Sequence, residues 1–110
     1  MKPALPLLQQ ALRITLFTRA NCSLCDDAKL VLSRVWEKLP FEYQEIDVMK
    51  PEGRAWKDLY EFDTPVIHIR RSEVIEEPSI AAKARKLMHR FTEGQVKEMM
   101  GIAEKEPDEP

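Results

Sequence analysis

Cys22 and Cys25 are the only cysteines in a chain of 110 residues, and two residues separate them. On a helix that spacing brings the two Cβ atoms to about 5 to 6 Å, near enough for small adjustments to close a disulfide. If the pair opens the helix, the unpaired N–H groups and the positive end of the dipole favour a thiolate on Cys22. Cys22 is therefore expected to be more acidic than a free cysteine, with Cys25 one turn inward and less exposed, able to attack a mixed disulfide formed on its neighbour. Asp26 and Asp27 oppose this by repelling a thiolate, and Arg19 offsets them. Zinc would want four ligands, and His68 and His89 lack the paired spacing that follows C-x-x-C in zinc sites, so no metal site is expected.

The elements that must position this pair are legible in hydrophobic periodicity. Arg13-Ile14-Thr15-Leu16-Phe17-Thr18 alternates and is rich in β-branched and aromatic residues, which predicts a strand. Asn21 offers an N-cap, and Leu24, Ala28, Leu32, Val35, Trp36 and Leu39 recur at helical spacing until Pro40 closes the run. Phe41 to Val48 reads as a second strand whose apolar phase shifts from Phe41 and Tyr43 to Ile46 and Val48, as at an irregularity. Pro51 starts a short helix ending near Phe62, with Ala55 and Leu59 toward the core and Trp56 as a further candidate. Asp63-Thr64-Pro65 then leads into the strand Val66-Ile67-His68-Ile69, and a proline at a strand's first position is tolerated because its missing N–H is not needed there.

The fourth strand has two candidates, about 73–76 or 85–91. The later is preferred, because it returns directly into a last helix opened by the capping box Thr92-Glu93-Gly94-Gln95 and carrying Val96, Met99, Met100 and Ala103 on one face. Arg70 to Ala84 is then an insertion, although Ile80, Ala84, Leu87, Met88 and Phe91 would also suit an amphipathic helix. Trp36 and Trp56 are expected to pack on the sheet, and His68 to be a packed strand residue.

Composition bounds the rest. The whole of 1–110 fits one domain, with a core at about 13–103 and an acidic flexible tail at 104–110. A net charge of −2 gives no broad positive field, which argues against nucleic acid, and no apolar run approaches the roughly 20 residues that cross a bilayer. Two cysteines cannot form the dense framework of a small secreted domain, so a reducing compartment is expected: cytoplasmic, with mitochondrial as the alternative because residues 1–25 hold Lys2, Arg13 and Arg19 and no acid. The run Lys83, Arg85, Lys86, Arg90 could attract an anionic tripeptide or an acidic protein surface.

Leu16 to Cys25, followed by Thr64-Pro65 after a β-α-β-α order, resembles the active-site segment and proline loop of the glutaredoxins, and most closely the small fungal-type glutaredoxin-like proteins. The resemblance implies an α/β thioredoxin-like fold, β-α-β-α-β-β-α, with a central four-stranded mixed sheet flanked by helices. It implies a thiol-disulfide oxidoreductase serving electron transport and redox homeostasis, with Cys22 as nucleophile and Cys25 as resolving thiol. It further implies that Thr64, held by a cis Pro65, pairs with the peptide part of glutathione or of a substrate, and that Arg19 contacts a glutathione carboxylate. Glutathione would be a co-substrate, with no cofactor bound, and the partners would be glutathione or protein disulfides met by a monomer. Two departures stand out: Ser23 and Leu24 lie where glutaredoxins have proline and an aromatic residue, and the Gly-Gly and Asp of that family have no counterpart after Ile69. They keep open a second reading, a non-catalytic binding module with regulatory or vestigial cysteines.

Overall fold

The computed structural model describes residues 12–105. Strand β1 (Leu12–Thr18) leads into helix α1 (Ser23–Lys38), strand β2 (Glu42–Asp47), a 3-10 turn (Pro51–Gly53) and helix α2 (Arg54–Tyr60). Strand β3 (Val66–Arg71), a second 3-10 segment (Pro78–Lys83), strand β4 (Arg85–Met88) and helix α3 (Glu93–Lys105) complete the order. The sheet runs β2-β1-β3-β4, with β1 and β2 parallel and the other two pairings antiparallel. This is the mixed, helix-flanked sheet expected above.

One face of the sheet presents Leu12, Ile14 and Leu16 of β1 and Ile67 and Ile69 of β3. Against them pack Ala28, Leu32 and Val35 of α1 and Val96, Met100 and Ala103 of α3. Both helices expose an apolar stripe at steps of three and four residues, which is what a sheet face demands of a covering helix. α1 stops where the Leu39 N–H returns to the Val35 carbonyl at 2.7 Å, just before Pro40. α3 starts on a reciprocal cap: the Thr92 hydroxyl accepts from the Gln95 N–H at 3.1 Å, and the Gln95 side chain accepts from the Thr92 N–H at 2.8 Å.

The other face is covered by α2 over Phe17 and Val66, and here the periodicity misplaces the buried stripe. Trp56 and Tyr60 point inward, while Leu59 is 44% exposed and Ala55 is also exposed. Both pairs are four residues apart, so spacing cannot choose between them. Burying a large aromatic side chain yields about 1.5–3 kcal/mol against about 0.8 for a single methyl group, and the two rings stack near-parallel over Phe17.

Other departures have equally local causes. Trp36 is 40% exposed at the β2 margin of the sheet and not buried on it; its indole N–H donates to the Phe41 carbonyl at the end of the α1–β2 connection. β2 pairs with β1 without irregularity from Glu42 to Asp47, because Phe41 and Val48, both buried, lie just beyond its two ends. The fourth strand is the later candidate, and it is short because His89 adopts a left-handed φ of 63°. Of the supposed insertion, Arg70 and Arg71 belong to β3 and Pro78–Lys83 forms a 3-10 segment, so the alternative amphipathic helix is not formed. Glu104 and Lys105 belong to α3 rather than to a tail; 106–110, like the presequence-like stretch before residue 12, lies outside the described residues.

Beyond α2 the second face is closed by a polar cluster that the sequence reading did not foresee. Glu76, with its side chain 3% exposed, receives Arg70 Nη1 at 2.7 Å and the His68 ring at 3.1 Å. The Tyr60 hydroxyl meets the other His68 nitrogen at 2.6 Å. A neutral imidazole that accepts from Tyr60 at Nε2 and donates from Nδ1 to an ionised Glu76 satisfies all three groups. Arg70 Nη2 also holds the Ile80 carbonyl at 2.8 Å, and Arg13 holds the Ser72 and Val74 carbonyls, so the 72–84 segment is strapped to the sheet by buried cations. Burial would push the Glu76 carboxyl up, but the hydrogen bond and proximity of His68 and the Arg70 guanidinium outweigh it and hold it below its ordinary value of 4.5. Burial drives His68 the other way from its usual gain of protons, below 6.5, although Glu76 opposes this.

Both shifts are downward, so each group contributes stability above its unfolded pKa and loses it as pH falls through the folded one. Thermal stability should therefore fall in acid in two stages, the first beginning below pH 6.5. His68→Gln should remove that first stage and leave the carboxylate stage; a profile unchanged in shape would contradict the assignment. Glu76→Gln leaves two buried guanidinium groups without their anion and should cost about 3 kcal/mol or more in denaturant melts. Gly53→Ala should cost about 1–3 kcal/mol, since a Cβ there meets the Asp47 carbonyl and no flexible side chain can yield; a neutral substitution would show that the 3-10 turn can shift.

Candidate functional site

β1 ends at Thr18, and the chain turns through Arg19 to Asn21 before α1. Asn21 has a left-handed φ of 58°, so it makes the turn and does not cap the helix. The cap is Cys22 itself: its backbone is extended, its carbonyl accepts from Cys25 and Asp26, and its sulfur receives the Cys25 N–H at 3.1 Å. A sulfur at this point sees the unpaired amides of the first turn.

Cys22 and Cys25 are joined as a disulfide, with Cα atoms 5.2 Å apart. Their exposures differ. Cys25 is 1% exposed, tucked under the first turn with Ala28, whereas Cys22 is half-buried at the surface. Only one of the two sulfurs is within easy reach of a molecule arriving from solvent.

The proline loop lies alongside. Phe17 of β1 pairs with Val66 of β3 in the antiparallel register, which sets Pro65 next to Thr18, where the chain leaves the sheet toward Cys22. The Thr64–Pro65 peptide bond is cis; Pro65 is buried and Thr64 is half-buried. Two contacts fix the loop. Arg19 Nη1 donates to the Glu61 carbonyl at 2.9 Å, and the His89 N–H donates to the Pro65 carbonyl at 2.8 Å. His89 also stands 3.9 Å from Asp63, both side chains half exposed.

Of the five residues singled out from the sequence, Arg19, Cys22, Thr64 and Pro65 thus belong to the adjoining β1–α1 and α2–β3 connections, and Cys25 to the first turn of α1. Arg19 differs from expectation in its present partner: one of its donors is spent on the chain's own loop. The basic run is dispersed, for Lys86 Nζ holds the Ala81 carbonyl at 2.7 Å on β4, while Lys83 and Arg90 are exposed. Two features of the rim had no signal in the sequence. Phe62 is 86% exposed on the loop that Arg19 holds, and the left-handed His89 closes that loop from the β4 side. Periodicity speaks to core positions only, and a left-handed histidine is rare enough that nothing in composition would suggest it.

Among the described residues no group of three or more His, Cys, Asp and Glu side chains could hold a metal ion. No helix among them is long and apolar enough to cross a membrane.

Comparison with known proteins agrees with this geometry. The profile of the family described as Glutaredoxin-like domain (DUF836) matches residues 13–101. A "Glutaredoxin-like protein YDR286C homolog" from Dictyostelium discoideum is 36% identical over 61 residues, which is 52% of this chain and 56% of that protein. The match therefore spans little more than half the length of that curated relative. Among solved structures, target protein XcR50 from X. campestris superposes with a TM-score of 0.58 at 20% identity, over 82% of this chain and 97% of that one. Chloroplastic thioredoxin z superposes with a TM-score of 0.66 at 19% identity, over 88% and 81% of the two chains. At such identities the structural likeness speaks to the fold alone.

The asymmetry of exposure is directly measurable. After reduction, iodoacetamide should label Cys22 at least about tenfold faster than Cys25, as mapped by mass spectrometry at short reaction times. Equal rates at the two positions would show that the first turn opens freely in the reduced protein.

Proposed function

This chain belongs to the glutaredoxin-like family, and from that membership we propose that it is a thiol-disulfide oxidoreductase working through Cys22 and Cys25. The observation that carries the reading is the joined pair at the start of α1, with one sulfur accessible and the other shielded beneath it. In the reduced protein the Cys22 thiolate attacks one sulfur of a substrate disulfide, forming a mixed disulfide and expelling the other substrate sulfur as a thiolate. The Cys25 thiolate then attacks Cys22, the intermolecular bond breaks, and the second substrate thiolate leaves. Two electrons pass to the substrate, and Cys22 and Cys25 are left bonded as they stand here.

Restoring the dithiol needs two electrons, from two molecules of glutathione or from a thioredoxin-type dithiol. Glutathione would in either role be a co-substrate and not a resident cofactor. Thr64 would offer its backbone to an extended substrate beside Cys22, and Arg19 its remaining donors to a carboxylate. A protein disulfide fits this rim at least as well as glutathione, since Arg19 is already engaged by Glu61 and Phe62 gives the loop an apolar knob. The protein would act as a monomer in a reducing compartment such as the cytoplasm.

Reduction of insulin and of a glutathionylated peptide, each with excess glutathione, tests the reading. Cys22→Ser should abolish turnover in both assays. Cys25→Ser should still form the mixed disulfide but resolve it slowly, so that a covalent complex accumulates on non-reducing gels. Wild-type protein without Cys22-dependent activity toward either substrate would favour the alternative, a thioredoxin-fold module that binds partners beside Pro65 without turning them over.

A further inference from the structure

The second surface able to recognise another molecule lies at the far side of the sheet. β2 is an edge strand that, among the described residues, pairs with β1 alone. Such an edge carries a row of backbone donors and acceptors open to a further strand, and proteins commonly block it with charged side chains, lysine above all, with proline or with a bulge. β2 has no lysine, proline or bulge, and the charges it carries, on Glu42, Glu45 and Asp47, are all acidic, which repels an acidic strand and admits a basic one. Its sequence is Glu-Tyr-Gln-Glu-Ile-Asp, and its pairing is regular throughout.

What flanks the edge is specific. Between α1 and β2 lies an open groove of about 600 Å³ lined by Leu32, Phe41, Trp36 and Tyr43, with Glu37 and an ion pair of Lys29 with Glu45 at 3.6 Å, Glu45 also accepting from the Tyr43 hydroxyl at 2.6 Å. Trp36 and Tyr43 are 40% and 45% exposed, the sort of aromatic surface that a folded chain ordinarily covers. A second open groove along the same strand is bordered by Glu42, Glu45, Asp47 and Glu52, with Arg13 and Lys50. Around the edge Glu37, Glu42, Glu45, Asp47 and Glu52 outnumber Lys29 and Lys50, and this excess of acid beside two aromatic rings suits cationic side chains: the stem of a lysine or arginine lies on the ring and its charge meets an acid.

We propose that the β2 edge docks an extended segment of a protein partner, added as a fifth strand, in which basic residues alternate with apolar ones. The strand supplies main-chain hydrogen bonds, and the Trp36–Tyr43 groove selects the basic side chains on one face. A second copy of this chain is a poor occupant, because β2 against β2 sets acids against acids along the shared edge. Trp36 lies about 20 Å along α1 from Cys22. The docked segment would therefore hold a partner without occupying the redox pair, and the proposal does not rest on the redox reading.

The test uses the full chain and a synthetic capped peptide of alternating lysine and valine, with an alternating glutamate and valine peptide as control, followed by amide NMR and hydrogen exchange. Saturable shifts of the β2 amides and the Trp36 indole N–H with the lysine peptide, and none with the control, are expected. Trp36→Ala and the double change Glu37→Lys with Glu42→Lys should each weaken binding at least about tenfold, and added salt should weaken it further. Cys22→Ser should bind the peptide like the wild type, which separates this result from any failure of the oxidoreductase reading. The proposal is overturned by equal binding of the two peptides, by shifts that map away from β2, by no binding at millimolar peptide, or by protection, in the peptide-free protein, of those β2 amides that face away from β1.

Discussion

Everything in this molecule is organised by β1, whose seven residues from Leu12 to Thr18 are all buried. A strand enclosed by neighbours on both edges and by layers on both faces cannot slide, because a shift of one residue would turn Ile14 and Leu16 out of the main core and drive Arg13 and Thr15 into it. The fixed register has two consequences at once. It delivers the turn at Arg19 to Asn21, and hence Cys22, to one place at the end of the sheet, and it sets the start of β3 next to that place. The cysteines and the proline loop come from separate parts of the chain and meet only because β1 and β3 are locked in antiparallel pairing.

The two faces of the sheet meet the demand for burial differently. The α1 and α3 side is an apolar core assembled from amphipathic helices. The other side has too little helix to cover it, since α2 is only seven residues long. The uncovered part is closed by a short irregular segment whose backbone polar groups must be satisfied individually. Arg13 and Arg70 do this by donating to carbonyls of the 72–80 stretch, and Glu76 supplies the counter-charge that makes two buried guanidinium groups tolerable. Such an arrangement adds little net stability compared with hydrophobic packing. Its value lies in fixing where the segment runs, because an unpaired buried charge anywhere else would be costly.

The edges and ends of the sheet divide the work of recognition. The disulfide and the proline loop occupy the end where β1 stops and β3 starts, and the Trp36–Tyr43 groove lies toward the opposite end of α1. On the reading proposed above, sulfur chemistry at a helix terminus and affinity at a strand edge could each be changed without disturbing the other, because about 20 Å of α1 separates Cys22 from Trp36.

Hydrophobic alternation and helical spacing determined the order of the first elements and the two short motifs that hold the candidate site, because these are properties of a few neighbouring residues, and the capping box at Thr92 favoured the later of two candidates for the fourth strand without excluding the earlier. Spacing alone could not choose between Ala55 with Leu59 and Trp56 with Tyr60, since both pairs lie one helical turn apart; the ring of Phe17, far back in the sequence on β1, decides it. Nor could the sequence pair Glu76 with His68, Arg70 and Arg13, or bring Arg19 to the Glu61 carbonyl, because a charge carries no mark of its partner until the sheet register brings the two together. What lies within one turn or one strand was readable from the residues. What depends on contact between separate strands and loops, including the closing of the second face and the exposure of β2, was decided by the tertiary structure, where burial and charge pairing act on residues that the chain itself keeps far apart.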